Sequence, residues 1–134
     1  RNIARLFDVP LSFFFGDNPG SEIEYRHIVR ADHRRKLGNP DDGLLEELLS
    51  PDLGGSFEII HSEFAPGATL YEPQQRDTEE AGYIISGVLE LELNGEWHTL
   101  NAGDSFRFSG EAYRWRNTTD KPTTVIWVVS PPVY

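Results

Sequence analysis

The sequence contains no cysteine, no methionine, comparatively few basic residues and no long hydrophobic run. Because cysteine is absent, disulfides and thiol chemistry are excluded, as is typical of proteins of the cytoplasm. A membrane-spanning helix needs about 18 or more consecutive apolar residues, and no such stretch occurs. No pattern typical of a secretion signal is visible either. We therefore expect a cytoplasmic protein that makes no contact with a membrane.

The shortage of basic residues leaves a strongly acidic chain. Lys and Arg number 12 against 22 Asp and Glu, which gives a formal net charge of -10 at pH 7. A nucleic-acid backbone repels such a surface unless basic residues gather in one patch. The basic cluster at residues 30–36 contains Asp32 and precedes Asp41 and Asp42, so we interpret it as solvated surface. This chain by itself is not expected to bind DNA.

The patterning of the chain favours β-structure. A length of 134 residues suits one domain with its own core. Short apolar segments with period-two alternation are separated by Gly, Pro and Asn, which is typical of an antiparallel sandwich or barrel. The pair Asn94-Gly95 predicts a type I′ hairpin turn between strands at residues 89–93 and 96–100, because both central turn residues need positive φ.

The start of the chain differs from the rest. Residues 1–15 have the apolar spacing of two short helical pieces, and the breaker cluster at residues 16–20 marks a boundary. The main domain is therefore predicted over residues 21–134.

Two segments early in the main domain carry weaker signals. Ile23, Tyr25 and Val29 alternate with charged residues and predict a strand. Such a strand would lie at a sheet edge, and edges need covering, so it is a candidate contact between two copies of the chain. Residues 44–49 have helical spacing, yet the run is too short to distinguish a helix from a strand.

Several segments together resemble a known family: residues 1–15, 66–68, 79–87, 103–117 and 130–132, in this order. They resemble the cupin-containing regulators in which an XRE-type helix-turn-helix domain precedes a C-terminal cupin sensor. The resemblance implies an all-β double-stranded β-helix, the jelly-roll barrel of cupins, with a short N-terminal helical segment. Residues 1–15 would then be the C-terminal remnant of the helix-turn-helix domain, and residues 21–134 the cupin sensor domain.

The same resemblance implies that the metal ligands of catalytic cupins are missing. Metal-binding cupins supply two histidines and a glutamate from the first motif and one histidine from the second. The four corresponding positions are Gln74, Arg76, Glu80 and Tyr113. Anchoring the second motif on Gly103 instead of Asn117 replaces Tyr113 by Arg114, which restores no histidine. The chain has 4 histidines, which lie in different segments, so we expect no transition metal and no other cofactor.

A pocket for a small metabolite is the expectation that remains. Strand alternation places Arg76 and Glu80 on one face, and Tyr113, Trp115 and Asn117 on another, and the resemblance points both faces into the barrel. The predicted ligand-binding residues are Gln74, Arg76, Glu80, Arg107, Tyr113, Trp115 and Asn117.

Three questions about this pocket stay open at this point. Arg76 and Arg107 suit a carboxylate ligand, whereas Glu80 and Glu72 suit an amine, which aromatic rings would help to bind. Trp115 is equally well interpreted as a core residue, and Trp127 is interpreted as core. If Glu80 points inward it needs a partner, and Arg76 supplies one if the chain bends at residues 77–78.

These patterns favour the ligand-sensing domain of a transcriptional regulator. DNA would be bound only through the missing N-terminal domain of the full-length protein, and two-fold operators favour a homodimer. The alternative is a metal-independent cupin isomerase or lyase in which Tyr113 and Glu80 form an acid/base pair. A plain binding module is a third possibility.

Overall fold

The computed structural model describes residues 22–38, 42–51 and 54–132. These residues begin with a short helix α1 (Glu22–His27) and a 3-10 turn at Ala31–His33, and continue as β-strands. In chain order the strands are β1 (Arg35–Leu37), β2 (Leu44–Leu48), β3 (Glu58–Phe64), β4 (Glu79–Ser86), β5 (Val88–Leu93), β6 (Glu96–Asn101), β7 (Ser105–Ser109), β8 (Tyr113–Arg116) and β9 (Thr123–Ser130).

The strands form two antiparallel sheets. The larger sheet has the order β1-β2-β3-β9-β4-β7, and the smaller has the order β6-β5-β8. Strand β9 lies between β3 and β4, so the end of the chain returns to the centre of the larger sheet. This arrangement confirms the predicted all-β jelly-roll architecture.

The core lies between the two sheets. In β3 and β9 every second residue is buried, as expected for strands with one face towards a core. Phe64 of the larger sheet packs edge-on against Trp115 of the smaller sheet, with ring centroids 4.8 Å apart. Each such aromatic ring that leaves water stabilises the fold by about 1.5–3 kcal/mol. Trp127 is also buried, as predicted.

The hairpin predicted at Asn94-Gly95 is confirmed. Asn94 has φ 49° and Gly95 has φ 87°, the left-handed conformations that a type I′ turn requires. The turn places Leu93 opposite Glu96 and so fixes the register between β5 and β6.

The strand predicted around Ile23 and Tyr25 is wrong, because the residues Glu22–His27 form the helix α1. The amide of Ile28 donates to the carbonyl of Glu24 at 2.8 Å, as in a helix. The strand that pairs with the outer edge of β2 is β1. The proposed dimer contact through an edge strand at this place is therefore lost. The ambiguous segment at residues 44–49 is a strand, β2, because it pairs with β3 along its length.

The predicted helix-turn-helix remnant at residues 1–15 lies outside the described residues. Among the helices that the structure does describe, none is long and apolar enough to cross a membrane.

Candidate functional site

Glu80 lies at the centre of a polar cluster inside the barrel. It belongs to β4, is 1% exposed and accepts hydrogen bonds from two neutral donors. The indole N–H of Trp127 donates to Oε1 at 2.7 Å, and the hydroxyl of Thr78 donates to Oε2 at 2.7 Å. A buried carboxylate needs such donors and a compensating charge, because burial without them disfavours ionisation.

Arg76 supplies that charge. Its Nη2 lies 3.1 Å from Oε2 and 3.4 Å from Oε1 of Glu80. The chain bends at Asp77, before β4 begins, which brings the two side chains together although they are four residues apart. Both the ion pair and the bend expected from the sequence are confirmed. The Arg76 side chain remains 35% exposed, so it lies at the boundary between the barrel interior and solvent.

Tyr113 of β8 completes the cluster. Its hydroxyl accepts a hydrogen bond from Nη2 of Arg76 at 2.7 Å and donates to Oε1 of Gln74 at 3.4 Å. The backbones of Gln74 and Tyr113 are joined by two hydrogen bonds of 2.8 Å. Burial, followed by the negative charge of Glu80, raises the pKa of Tyr113 to about 12, although Arg76 opposes this shift. The hydroxyl is therefore protonated throughout the physiological pH range.

The other predicted ligand-binding residues lie elsewhere or have structural contacts. Trp115 is buried against Phe64 and is part of the core. The Asn117 side chain is 1% exposed; its Nδ2 donates to the carbonyl of Phe64 at the end of β3 at 3.0 Å, and its Oδ1 accepts from the amide of Thr119 at 3.0 Å. These hydrogen bonds engage the side-chain amide of Asn117 with backbone groups, so the residue has a structural role.

Arg107 is a correction to the predicted site. It lies on β7 between Phe106 and Phe108, points out of the barrel and pairs with exposed Glu79 at 3.2 Å. Phe108 is buried and packs on Tyr113, with ring centroids 4.7 Å apart. The alternation Phe-Arg-Phe was the sequence signal that would have placed Arg107 outside.

The structure adds two groups that sequence reasoning missed. One is the indole N–H of Trp127, a residue for which the sequence pattern indicates only a core position. The other is Glu46 of β2, which is half-buried on the same side of its strand as buried Leu48. Burial is the main cause that raises the pKa of Glu46, followed by the charge of Asp42, and Arg76 lowers it. Alternation alone could not have selected Glu46, because both faces of this strand have a Leu-Glu-Leu pattern, with Glu46 on one face and Glu47 on the other.

A transition-metal ion does not fit this cluster. Of the four positions where a metal-binding cupin has its ligands, Arg76 carries a permanent positive charge and only N–H donors. The carboxylate of Glu80 is already engaged by three donors. Across the described parts of the chain, no group of three His, Asp or Glu side chains is placed to hold a metal.

Comparisons with known proteins agree with the architecture. A family model described as "Cupin domain" matches residues 60–129. The HTH-type transcriptional regulator PuuR of Escherichia coli (strain K12) is 23% identical over 136 aligned residues, which cover 100% of this chain and 72% of that protein.

Two solved structures are similar in fold. The Cupin_2 domain of an XRE family transcriptional regulator from Enterobacter cloacae is 29% identical with a TM-score of 0.59, over 68% of this chain and 99% of that one. The structure of KdgF from Halomonas sp. is 22% identical with a TM-score of 0.66, over 85% of this chain and 96% of that one.

Proposed function

This chain belongs to the cupin domain family, and from that premise we propose that it is the ligand-sensing domain of a transcriptional regulator. The observation that carries the proposal is the similarity to PuuR, an HTH-type transcriptional regulator, because it extends over 100% of this chain. A cupin domain of an XRE family regulator is similar as well. In this proposal the cupin barrel binds a small metabolite, and DNA is bound by a helix-turn-helix domain elsewhere in the full-length protein.

The interior of the barrel supports a binding role. Buried aromatic and aliphatic side chains form the core, and Arg76, Glu80 and Tyr113 form a small polar group beside them. Sites for small molecules are usually of this kind, with few polar groups that fix the orientation of the ligand. Arg76 takes the electrostatic place of a metal beside Glu80, so the proposed ligand is organic and binds without a transition metal.

The alternative of a metal-independent isomerase or lyase is less well supported by the same residues. An acid/base pair works best when its pKa values lie near the working pH, whereas the pKa of Tyr113 is raised to about 12. Glu80 already accepts hydrogen bonds from Arg76, Thr78 and Trp127, so these donors compete with a substrate proton for its oxygens.

The decisive experiment uses the full-length regulator that contains this chain. A metabolite that raises the melting temperature of the chain should change the affinity of the full-length protein for DNA from its own promoter region in a gel shift. The 134-residue chain alone should give no specific shift at low salt. A saturable, sequence-specific shift by the chain alone would contradict the proposal.

The sensor and the enzyme differ in what happens to the ligand. After prolonged incubation of the metabolite with a catalytic amount of protein, the proton NMR spectrum of the metabolite should be unchanged. Conversion of the metabolite that Tyr113→Phe abolishes would favour the enzyme instead.

A further inference from the structure

Glu46 faces the inner side of β2, unlike Leu45, which precedes it in the strand. Leu48 is buried and Leu45 is 53% exposed, so alternation along β2 places Glu46 on the inner side with Leu48. A side-chain carbon added to Gly38, which has φ 77°, would lie 2.9 Å from Oε1 of Glu46. The carboxylate therefore lies against the backbone of the residue that follows β1, at the rim of the barrel.

Glu46 is also uncommitted. Among the described residues it receives no hydrogen bond and no ion pair, whereas many other glutamates of the sheets are each paired with an arginine. Those pairs are Glu47 with Arg34, Glu79 with Arg107, Glu80 with Arg76, Glu90 with Arg116 and Glu92 with Arg114. Within the described ranges, Glu63 of β3 is also half-buried without such a partner, but it lies on the outer face, whereas an unpaired carboxylate on the inner face needs an explanation.

A second unpartnered group lies beside it. Ser62 of β3 is directly opposite Glu46 in the β2–β3 register, on the same inner face. It is 1% exposed, and within the described part of the chain its hydroxyl has no hydrogen-bond partner. Directly opposite residues on neighbouring antiparallel strands have Cβ atoms about 4.5–5.5 Å apart. A carboxylate and a hydroxyl, neither with a hydrogen-bond partner among the described residues, therefore belong to directly opposite residues on the same inner face.

The charges around this pair do not balance. Arg76 is within electrostatic range of Glu46, but its charge is already matched by Glu80 at 3.1 Å. Nε of Arg76 has no hydrogen-bond partner among the described residues, yet its guanidinium as a whole is neutralised. Asp42 adds a further negative charge close to Glu46. The negative charges of Glu46 and Asp42 are therefore not matched by Arg76.

We propose that Glu46 and Ser62 bind the protonated nitrogen of the ligand, so that the barrel selects small organic cations of the alkylammonium type over carboxylates. The inference rests on the proposed ligand-binding function and adds the charge class of the ligand. Glu80, which the sequence suggested as the amine acceptor, is not the group that binds it, because its oxygens accept from Arg76, Thr78 and Trp127.

The pKa of Glu46 supports the assignment. Burial raises this pKa, together with the charges of Asp42 and Glu80, while Arg76 lowers it. The neighbouring phenol of Tyr113 stays neutral. A bound cation favours the charged carboxylate, so ligand binding should weaken as the pH falls and Glu46 becomes protonated.

The test uses three probes with the same carbon skeleton: n-butylamine, butyrate and 1-butanol, titrated into the chain by NMR or calorimetry. The account predicts that n-butylamine binds and that butyrate does not. Glu46→Gln should weaken n-butylamine binding by about tenfold or more, because a charge-assisted hydrogen bond is lost. Ser62→Ala should weaken it by a smaller factor.

Glu63→Gln is the matched control. Glu63 adjoins Ser62 but lies on the outer face of β3, so the variant removes the same charge without touching the barrel and should bind n-butylamine like the parent chain. Melting temperatures of all variants show that each is folded.

Three results would overturn the inference. Binding of butyrate or 1-butanol without n-butylamine would contradict the cation site and leave the proposed sensor function intact. Binding of n-butylamine that Glu46→Gln and Glu63→Gln affect equally, or no binding of n-butylamine at all, would remove Glu46 from the site.

Discussion

Two arginines of this chain pair with neighbouring glutamates of β4, and they lie on opposite faces of the larger sheet. Arg76 reaches Glu80 inside the barrel, where the carboxylate side chain is fully buried, whereas Arg107 reaches Glu79 outside, where both side chains are mostly exposed. Exposed ion pairs contribute about 0–1 kcal/mol to stability, because solvent screens them. The two pairs are therefore a natural comparison between a buried and a screened interaction of the same chemistry.

Arg76→Ala should lower the free energy of unfolding by about 2–3 kcal/mol, less than the roughly 3–5 kcal/mol of a pair buried on both sides. The loss is moderated because Thr78 and Trp127 still donate to Glu80. Arg107→Ala should cost less than about 1 kcal/mol. Urea denaturation of both variants measures the difference. In a double-mutant cycle, the stability losses of Arg76→Ala and Glu80→Gln should not add. Equal losses in Arg76→Ala and Arg107→Ala would contradict the role of Arg76.

Tyr113 gives a prediction in the alkaline range. Its pKa is raised to about 12 in the folded chain from 10.0, so the folded state retains a proton that the unfolded state loses. The stability that this difference contributes is complete below about pH 10 and is lost as the pH rises towards 12. An absorbance titration should contain a late tyrosine ionisation that Tyr113→Phe removes. Ionisation of all tyrosines near pH 10 would contradict the buried phenol.

At the scale of the strand, β4 depends on a residue without a side chain. A Cβ at Gly82 would overlap the ring of Phe106 on β7 and come within 3.1 Å of the Ile126 carbonyl on β9. Gly82 therefore allows the Phe106 ring to pack over β4, next to Trp127 at 4.8 Å between centroids.

Gly82→Ala should destabilise the fold by about 1–3 kcal/mol, the usual cost of overpacking a core. Gly55→Ala is the control, because a Cβ at Gly55 meets nothing closer than 3.5 Å and its backbone has no positive φ. Thermal denaturation of the two variants measures the contrast. A loss in Gly55→Ala as large as in Gly82→Ala would contradict the proposed packing.

Sequence patterns located those elements whose signal is local. The Asn94-Gly95 hairpin and the inward parity of Tyr113 followed from turn chemistry and from alternation, and both are confirmed. The strand predicted at residues 22–29 was wrong because a short alternating run also fits a helix, and only the pairing of β1 with β2 decides which segment lies at the edge. Glu46 could not be identified, because its significance depends on Ser62 of the next strand.

At the scale of the whole molecule, the expectation of a homodimer now rests only on a symmetry argument. Regulators of the helix-turn-helix type commonly bind two-fold operators, which favours a two-fold interface in the sensor. Light scattering at high micromolar concentration should give about twice the 15.2 kDa of the chain. A single species of the chain mass at that concentration would contradict this expectation.

The claim on which the account depends most is that Arg76, and not a metal ion, compensates Glu80 in the barrel. Elemental analysis of the chain, purified without an affinity tag, loaded with excess Fe, Mn, Ni or Zn and then desalted, tests it directly. We predict far less than one bound metal per chain, because the guanidinium occupies the position where a metal ligand would be needed. Retention of close to one transition-metal ion per chain would contradict the account.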